Sequence, residues 1–155
     1  MKLGLCQMPV TASKTENFAT MRRYVCDAAA AGCDLVVLPE MWCCPYSNAA
    51  FAQYAEPQGG ETWCLLRGTA REYGVWLVAG SVPERDGDAI YNTCYVFDPQ
   101  GTQQAKHRKV HLFDIDVAGS DTRSWTRRSE NSAWRSALTC ALPSSFVFWR
   151  SRARG

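Results

Sequence analysis

Apolar and polar positions alternate with two different periods along the chain, and each period predicts its own kind of element. Lys2 to Met8 alternates with period two and ends at Pro9, which is typical of a short strand with a proline stop. The next segment has a 3.6-residue period. Ser13 or Thr15 can cap it, and Gly32 supplies a left-handed exit, so this segment is predicted to be a helix.

The same order of strand and helix then repeats. The run from Asp34 to Leu38 is apolar after its first residue, which is typical of a strand buried on both faces. A second helix is predicted from Glu61 to Tyr73, closed by Gly74. The run from Val75 to Val82 returns as another buried strand.

A hairpin is predicted at the end of the patterned region. Ala89 to Phe97 and Gln103 to Val110 flank a turn with Pro99 at its second position and Gly101 at its fourth. The resulting order, β-α-β-α-β-β-β, predicts an α/β fold with a mixed sheet and helices on one face.

Composition narrows the class of protein only a little. The 155 residues are 46% apolar and 21% charged, as in an ordinary soluble globular domain. No signal peptide and no apolar run of about eighteen residues is visible, so we expect a cytoplasmic protein that does not contact a membrane. The eight cysteines are therefore expected to be reduced. None of their spacings is a zinc pattern, and we expect no metal and no cofactor.

Charge divides the chain in two. Residues 1–117 hold ten Lys/Arg and thirteen Asp/Glu, whereas residues 118–155 hold seven Arg and two acids. A basic tail can contact nucleic acid or an acidic membrane surface, but this one has no lysine, no tyrosine and no amphipathic period. We therefore expect no nucleic-acid partner. Residues 1–117 are interpreted as the domain, and residues 118–155 as an aberrant tail rich in Arg, Ser and Trp, frameshifted or disordered.

Glu40 is the first candidate for chemistry, because it follows a buried strand at the edge where α/β proteins place their active sites. Taken alone, it is more often a solvated loop acid. Here an apolar run precedes it and Trp42 and Tyr46 follow it, which predicts a dry cleft with aromatic walls. Desolvation raises the pKa of a carboxyl group, so Glu40 is a candidate general base near neutral pH.

Lys109 is the second candidate. It lies in a basic run, residues 106–111, of a kind that is most often an exposed strand or a phosphate-contacting patch. Because neighbours on a strand alternate faces, Arg108 is expected to face away from Lys109. Leu112 and Phe113 follow, so the strand runs into the core, and a partly buried lysine there needs a carboxylate partner. Glu40 is the candidate partner.

Four blocks of residues in the same region resemble signatures of one family in the right order. They are residues 38–48 (LPEMWCCPYSN), 80–84 (GSVPE), 91–94 (YNTC) and 107–116 (HRKVHLFDID). They resemble the omega-amidase branch of the nitrilase superfamily, the carbon-nitrogen hydrolases. The resemblance covers residues 1 to about 117 and implies an α-β-β-α sandwich, here truncated, that commonly forms a homodimer.

The resemblance also implies a mechanism. The family uses a Glu-Lys-Cys triad, in which Glu40 corresponds to the general base and Lys109 to the cation that stabilises the tetrahedral oxyanion. The implied substrate is the terminal amide of a small omega-amide, such as that of a 2-oxo acid, which is hydrolysed to acid and ammonia. Glu84 lies in the second block, and a structural role is the interpretation we favour for it.

The third family signature, which carries the catalytic cysteine, is absent. Cys140 has none of the neighbours of that cysteine and is not assigned as the nucleophile. The reading frame can be shifted so that each new codon takes the third base of one codon and the first two bases of the next. In that frame the codons of residues 131–145 can encode the sequence FGVAICFDMRF followed by Ala or Pro, then Glu and Leu. This resembles the missing signature, so we expect a frameshift or a wrongly joined exon between about Val117 and Asn131.

Two functions therefore stay open. The first is an omega-amidase-type hydrolase whose nucleophile is missing from this chain, which is then inactive as written. The alternative is a non-catalytic truncated product, or a pseudo-enzyme, that at most binds a full-length partner.

Overall fold

Polar caps and glycines set the helix ends in the computed structural model, which describes residues 1–109. Helix α1 (Lys14–Ala30) begins after Ser13, whose hydroxyl accepts a hydrogen bond from the Glu16 N–H at 3.3 Å. Helix α3 (Glu61–Tyr73) ends at Gly74, which has a left-handed φ of 62°. Both predicted helices are confirmed. A short helix between them, α2 (Asn48–Tyr54), was not predicted because seven residues are too few to show a helical period.

Six strands of the described region form one mixed sheet. Strands β1, β2 and β3 are parallel, and the strands after β3 run antiparallel to their neighbours. The mixed α/β sheet expected from the sequence is confirmed. The strands are β1 (Leu3–Leu5), β2 (Leu35–Val37), β3 (Trp76–Val78), β4 (Val82–Asp86), β5 (Ala89–Phe97) and β6 (Gln103–Arg108).

Strand β5 is the centre of the antiparallel part. One of its edges pairs with β6, and the other pairs with β3 near Phe97 and with β4 from Thr93 to Ala89. The turn after β5 has the predicted form, since the Gly101 N–H donates to the Asp98 carbonyl at 2.9 Å. Strands β3 and β4 therefore follow one another along a single edge of β5.

The prediction of one continuous strand from Val75 to Val82 is wrong, because the strand breaks at Gly80. This glycine has a φ of 57°, and a Cβ atom there would overlap the carbonyl oxygen of Pro39. The break lets the loop after β2 come into direct contact with the segment between β3 and β4.

Helices α1 and α3 pack together over one face of the sheet, where Val36, Leu77 and Phe97 are fully buried. Alternation along the strands sends Val37 and Val78 to the opposite face. Among the described residues, no helix is both long enough and apolar enough to span a bilayer.

Candidate active site

The loop that carries Glu40 is fixed from the segment between β3 and β4. The Met41 N–H donates to the Ser81 hydroxyl at 3.2 Å, and the indole N–H of the buried Trp42 donates to the Ala79 carbonyl at 3.1 Å. Met41 has a φ of 49°, and within residues 1–109 it is the one residue other than glycine with a positive φ. Such a conformation persists only where the surroundings impose it. These contacts therefore hold the backbone beside Glu40 in one shape.

The Glu40 carboxylate gathers two donors on one oxygen atom. Its Oε1 accepts a hydrogen bond from Lys109 Nζ at 2.8 Å and another from Asn92 Nδ2 at 2.8 Å. The Lys109 N–H in turn donates to the Asn92 carbonyl at 2.8 Å. Within residues 1–109 no hydrogen bond reaches the other oxygen, Oε2. The structure thus brings the two sequence-predicted candidates together and, among residues 1–109, leaves one carboxylate oxygen without a donor.

The sequence-based expectation for the Glu40 environment is wrong in two respects. Its side chain is 46% exposed, and the expected aromatic walls do not form, because Trp42 is turned into the core and Tyr46 is 61% exposed. Desolvation raises the pKa of Glu40, but the hydrogen bonds from Lys109 and Asn92 outweigh it, so the net shift is downward.

Lys109 experiences the matching effect. The hydrogen bond to Glu40 raises the pKa of Lys109 against a smaller opposing effect of desolvation, and the negative charge of Glu40 adds to the increase. Near neutral pH the pair is therefore a carboxylate next to an ammonium group. A carboxylate can accept a proton, and an ammonium group can stabilise a negative charge that develops beside it.

An open pocket of about 380 Å³ surrounds this pair. It is large enough for a small organic molecule, and both polar and apolar side chains line it. Its lining residues are Val37, Leu38, Glu40, Val78, Gly80, Ser81, Asn92, Cys94, His107 and Lys109.

Cys94 is the cysteine of the described region that lines the pocket, but it is unsuited to be a nucleophile. Its side chain is buried, and desolvation raises the pKa of the thiol to about 12. The thiol is therefore protonated near neutral pH, whereas a nucleophilic cysteine needs a lowered pKa. Cys140, the tail from residue 118 and the interval of the expected frameshift lie outside the described residues.

Arg108 and Lys109 face opposite sides of β6, as predicted. Arg108 Nη2 donates to Glu84 Oε1 and to Asp86 Oδ2, both at 2.8 Å, while Lys109 reaches Glu40 on the other side. The structure places Glu84 on the helix side of the sheet, away from the pocket.

Asn92 is the site residue that sequence reasoning missed. It was visible within the block at residues 91–94, but no role was assigned to it. The signal that could have found it is the period of β5, which places Asn92 on the same face as Cys94 and opposite the end of β6.

Comparisons with known proteins identify the family and the fold. The family model described as "Carbon-nitrogen hydrolase" matches residues 2–133. The chain is 44% identical to the chloroplastic omega-amidase of Arabidopsis thaliana over 125 residues, which are 77% of this chain and 34% of that protein. It is 46% identical to omega-amidase NIT2 of Danio rerio over 118 residues, which are 76% of this chain and 43% of that protein.

A solved structure shows the same fold. Nit3 of Saccharomyces cerevisiae, a member of branch 10 of the nitrilase superfamily, superposes with a TM-score of 0.72 at 28% identity, covering 83% of this chain and 48% of that chain. This chain therefore spans less than half the length of the relatives it matches. Over that length the α/β fold is that of the nitrilase superfamily, and the chain, which is omega-amidase-like, belongs to the carbon-nitrogen hydrolase family.

Proposed function

We propose that the gene specifies a hydrolase of the omega-amidase type and that residues 1–109 supply two of its three catalytic groups, Glu40 and Lys109. The substrate is the terminal amide of a small omega-amide, such as that of a 2-oxo acid, and the products are the acid and ammonia. The observation that carries the proposal is the 2.8 Å contact between Glu40 and Lys109, which lie 69 positions apart in the sequence and share one pocket. The omega-amidase relatives support the substrate class.

The geometry supports a distinct role for each group. Glu40 accepts the proton of a cysteine thiol, and the thiolate forms a bond to the amide carbon. The charge that develops on the amide oxygen is stabilised by Lys109. When the C–N bond breaks, Glu40 returns the proton to the leaving ammonia, and a thioester remains. Water then cleaves the thioester, and its proton passes through Glu40 back to the thiol.

The open oxygen of Glu40 fits this cycle. A general base must come within hydrogen-bond reach of the proton that it abstracts. Lys109 and Asn92 occupy Oε1, so Oε2 is the atom that can receive the proton while the other two contacts persist. Because those contacts lower the pKa of Glu40, it is ionised before the reaction begins.

The chain as written is proposed to be inactive, because the third group is missing from it. Cys94 is a protonated, buried thiol, and Cys140 lacks the family neighbours of the nucleophile. The alternative proposal is a non-catalytic truncated product, or a pseudo-enzyme, that at most binds a full-length partner. A homodimer and a cytoplasmic location remain proposals for the whole protein.

Two measurements test the proposal. Reading the nucleotides across codons 115–140 should show a shifted frame with a cysteine codon that straddles Ser136 and Ala137. Ammonia release from a small omega-amide should be absent for the 155-residue chain and present for the protein read in the restored frame. Activity of the 155-residue chain that disappears in Cys140→Ala would show that Cys140 is the nucleophile after all. If the frame is intact and the protein encoded by a longer transcript releases no ammonia, the non-catalytic alternative is favoured.

A further inference from the structure

The most deeply buried carboxylate of the described region is not Glu40 but Glu84. Its side chain is only 2% exposed, yet it accepts hydrogen bonds from Lys106 Nζ at 2.5 Å and from Arg108 Nη2 at 2.8 Å. Arg108 Nε adds a longer contact at 3.4 Å. This cluster lies on the helix side of the sheet and touches neither Glu40 nor Lys109.

A gain in stability does not by itself explain why such a cluster is present. Taking the Glu84 carboxylate out of water costs on the order of several kcal/mol, while Lys106 and Arg108 keep 26% and 25% of their side chains exposed, and well-packed apolar side chains commonly serve a core as well or better. Buried ionic groups are better attested as devices that fix a register. Here the register concerned is that of β6, because Lys106 and Arg108 lie two residues apart on this strand and share one face.

The residues between and after these cations face the pocket. His107 and Lys109 alternate with Lys106 and Arg108, so the pairing of β6 decides which set of side chains points toward Glu40. A slip of one residue turns every side chain of a strand to the other face. Such a slip would direct Arg108 to the pocket and Lys109 to the helix side.

The turn that precedes β6 is one determinant of this register. The pairing of β5 with β6 contains an irregularity between Val96 and Phe97, close to the turn. An irregularity of this kind disrupts the ladder locally, so contacts farther along β6 add to the specification of the register. At the far end of the pairing, where Thr93 pairs with Arg108, Glu84 accepts a hydrogen bond from the Arg108 side chain.

We propose that Glu84 is a positioning residue, which holds Lys106 and Arg108 on the helix side of β6 and thereby places Lys109 against Glu40. This inference rests on the proposed function, because Lys109 acts on substrate only in that reaction. Glu84 is well placed for the task, since β4 pairs with β5 across Glu84 and Tyr91 and a further bridge joins Glu84 to Glu56.

The test measures the pKa of the Glu40 carboxyl group by 13C NMR in the 155-residue chain, with the signal assigned from Glu40→Gln. Two effects of Glu84→Gln have opposite signs. Removing a negative charge lowers the pKa of any acid nearby, whereas losing the Lys109 contact raises it. The proposal predicts that the pKa of Glu40 rises toward its ordinary value, in the same direction as in Lys109→Met.

Two further variants separate position from charge and from folding. Glu84→Asp keeps the charge but draws the carboxylate back by one methylene group, so a rise in the pKa of Glu40 in this variant can come only from a change of position. Asp86→Asn is the matched control, because Asp86 also binds Arg108 but is 62% exposed, and it should not raise the pKa of Glu40.

Each outcome distinguishes the two proposals. If the pKa of Glu40 is unchanged or lower in folded Glu84→Gln or Glu84→Asp while Lys109→Met raises it, the catalytic pair stands and the positioning role is wrong. If Lys109→Met itself leaves the pKa of Glu40 unchanged, the pair does not form in solution and both proposals fail. Should Glu84→Gln not fold, Glu84→Asp gives the decision.

Discussion

The two faces of β6 carry two ionic sites that differ in access to water. On the helix side Glu84 is 2% exposed and is held by two cations, whereas on the pocket side Glu40 is 46% exposed and shares one oxygen between a lysine and an amide. A buried cluster of this kind cannot exchange its partners without leaving a charge stranded in the core. A half-exposed carboxylate can take up and release a proton because water reaches it.

Electrostatics alone does not separate the two sites. In both, desolvation raises the pKa of the carboxyl group, hydrogen bonds from cations lower it, and the net shift is downward. The two sites therefore differ in how far water reaches the carboxylate. They also differ because one oxygen of Glu40 has no donor among residues 1–109. Glu84 fits a structural task and Glu40 fits a chemical one, and the following variants test that division.

The largest effect is expected from Glu40→Gln in the enzyme read in the restored frame. The amide keeps the shape of the side chain but cannot accept the thiol proton, and general-base catalysis is typically worth about a hundred- to ten-thousandfold. The loss should appear in kcat rather than in KM, because the proton moves only in the transition state. Steady-state kinetics with a small omega-amide measures both constants. A near-normal kcat would remove Glu40 from the mechanism.

A loss of stability of similar size is expected from Glu84→Gln in the 155-residue chain. Breaking a buried ionic cluster by removing one partner typically costs about 3–5 kcal/mol of the free energy of unfolding, and the loss here should lie at the lower end of that range because Lys106 and Arg108 are 26% and 25% exposed. Glu72→Gln is the matched control, since its ion pair with Arg22 is about half exposed and such pairs contribute about 0–1 kcal/mol. Urea denaturation compares the two variants. Equal losses in both would contradict the division between buried and exposed sites.

Lys109→Met in the restored enzyme should come next. Methionine keeps much of the length of the side chain but removes the charge that faces the oxyanion, and one such donor is typically worth about a hundred- to thousandfold in kcat. The stability of the same variant should change far less than that of Glu84→Gln, because Lys109 is 35% exposed. A variant that loses stability but keeps kcat would show that Lys109 is structural.

The smallest effect concerns acid stability. The folded pKa of Glu84 lies below its ordinary value of 4.5, so its contribution to stability is complete above that pH and is lost as the pH falls through the folded pKa. Glu84→Gln should therefore flatten the decline of the free energy of unfolding in acid. Glu40→Gln should flatten it less, because solvent screens a half-exposed pair. Urea denaturation repeated at several pH values below neutral gives both slopes, and a steeper decline in Glu84→Gln would contradict the assignment.

The sequence predicts well those features whose causes lie close together along the chain. The bounds of α3 and β5 agree with the prediction, because a glycine exit and a proline-glycine turn lie directly beside them. The break at Gly80 was missed because its cause, the carbonyl of Pro39, lies about forty positions away in the sequence and only the folded sheet brings it near.

The same reasoning applies to the candidate site. Glu40 was found from the strand that precedes it, Lys109 from the alternation of faces along its own predicted strand, and both from the resemblance of their blocks. The exposure of Glu40 was predicted wrongly, because neighbouring residues such as Trp42 turn away from it. The role of Asn92 depends on the pairing of β5 with the end of β6, which a one-dimensional pattern does not give.

The central position of β5 also has a consequence for the order in which the chain assembles. Glu40 follows the parallel strand β2, whereas Lys109 reaches it from the end of β6, and within residues 1–109 β6 pairs with β5 and with no other strand. Because contacts between distant positions form only after the intervening loop has closed, the pair joined over 69 residues belongs among the late events of folding. Until β6 has paired with β5, the loop that carries Glu40 has no Lys109 beside it.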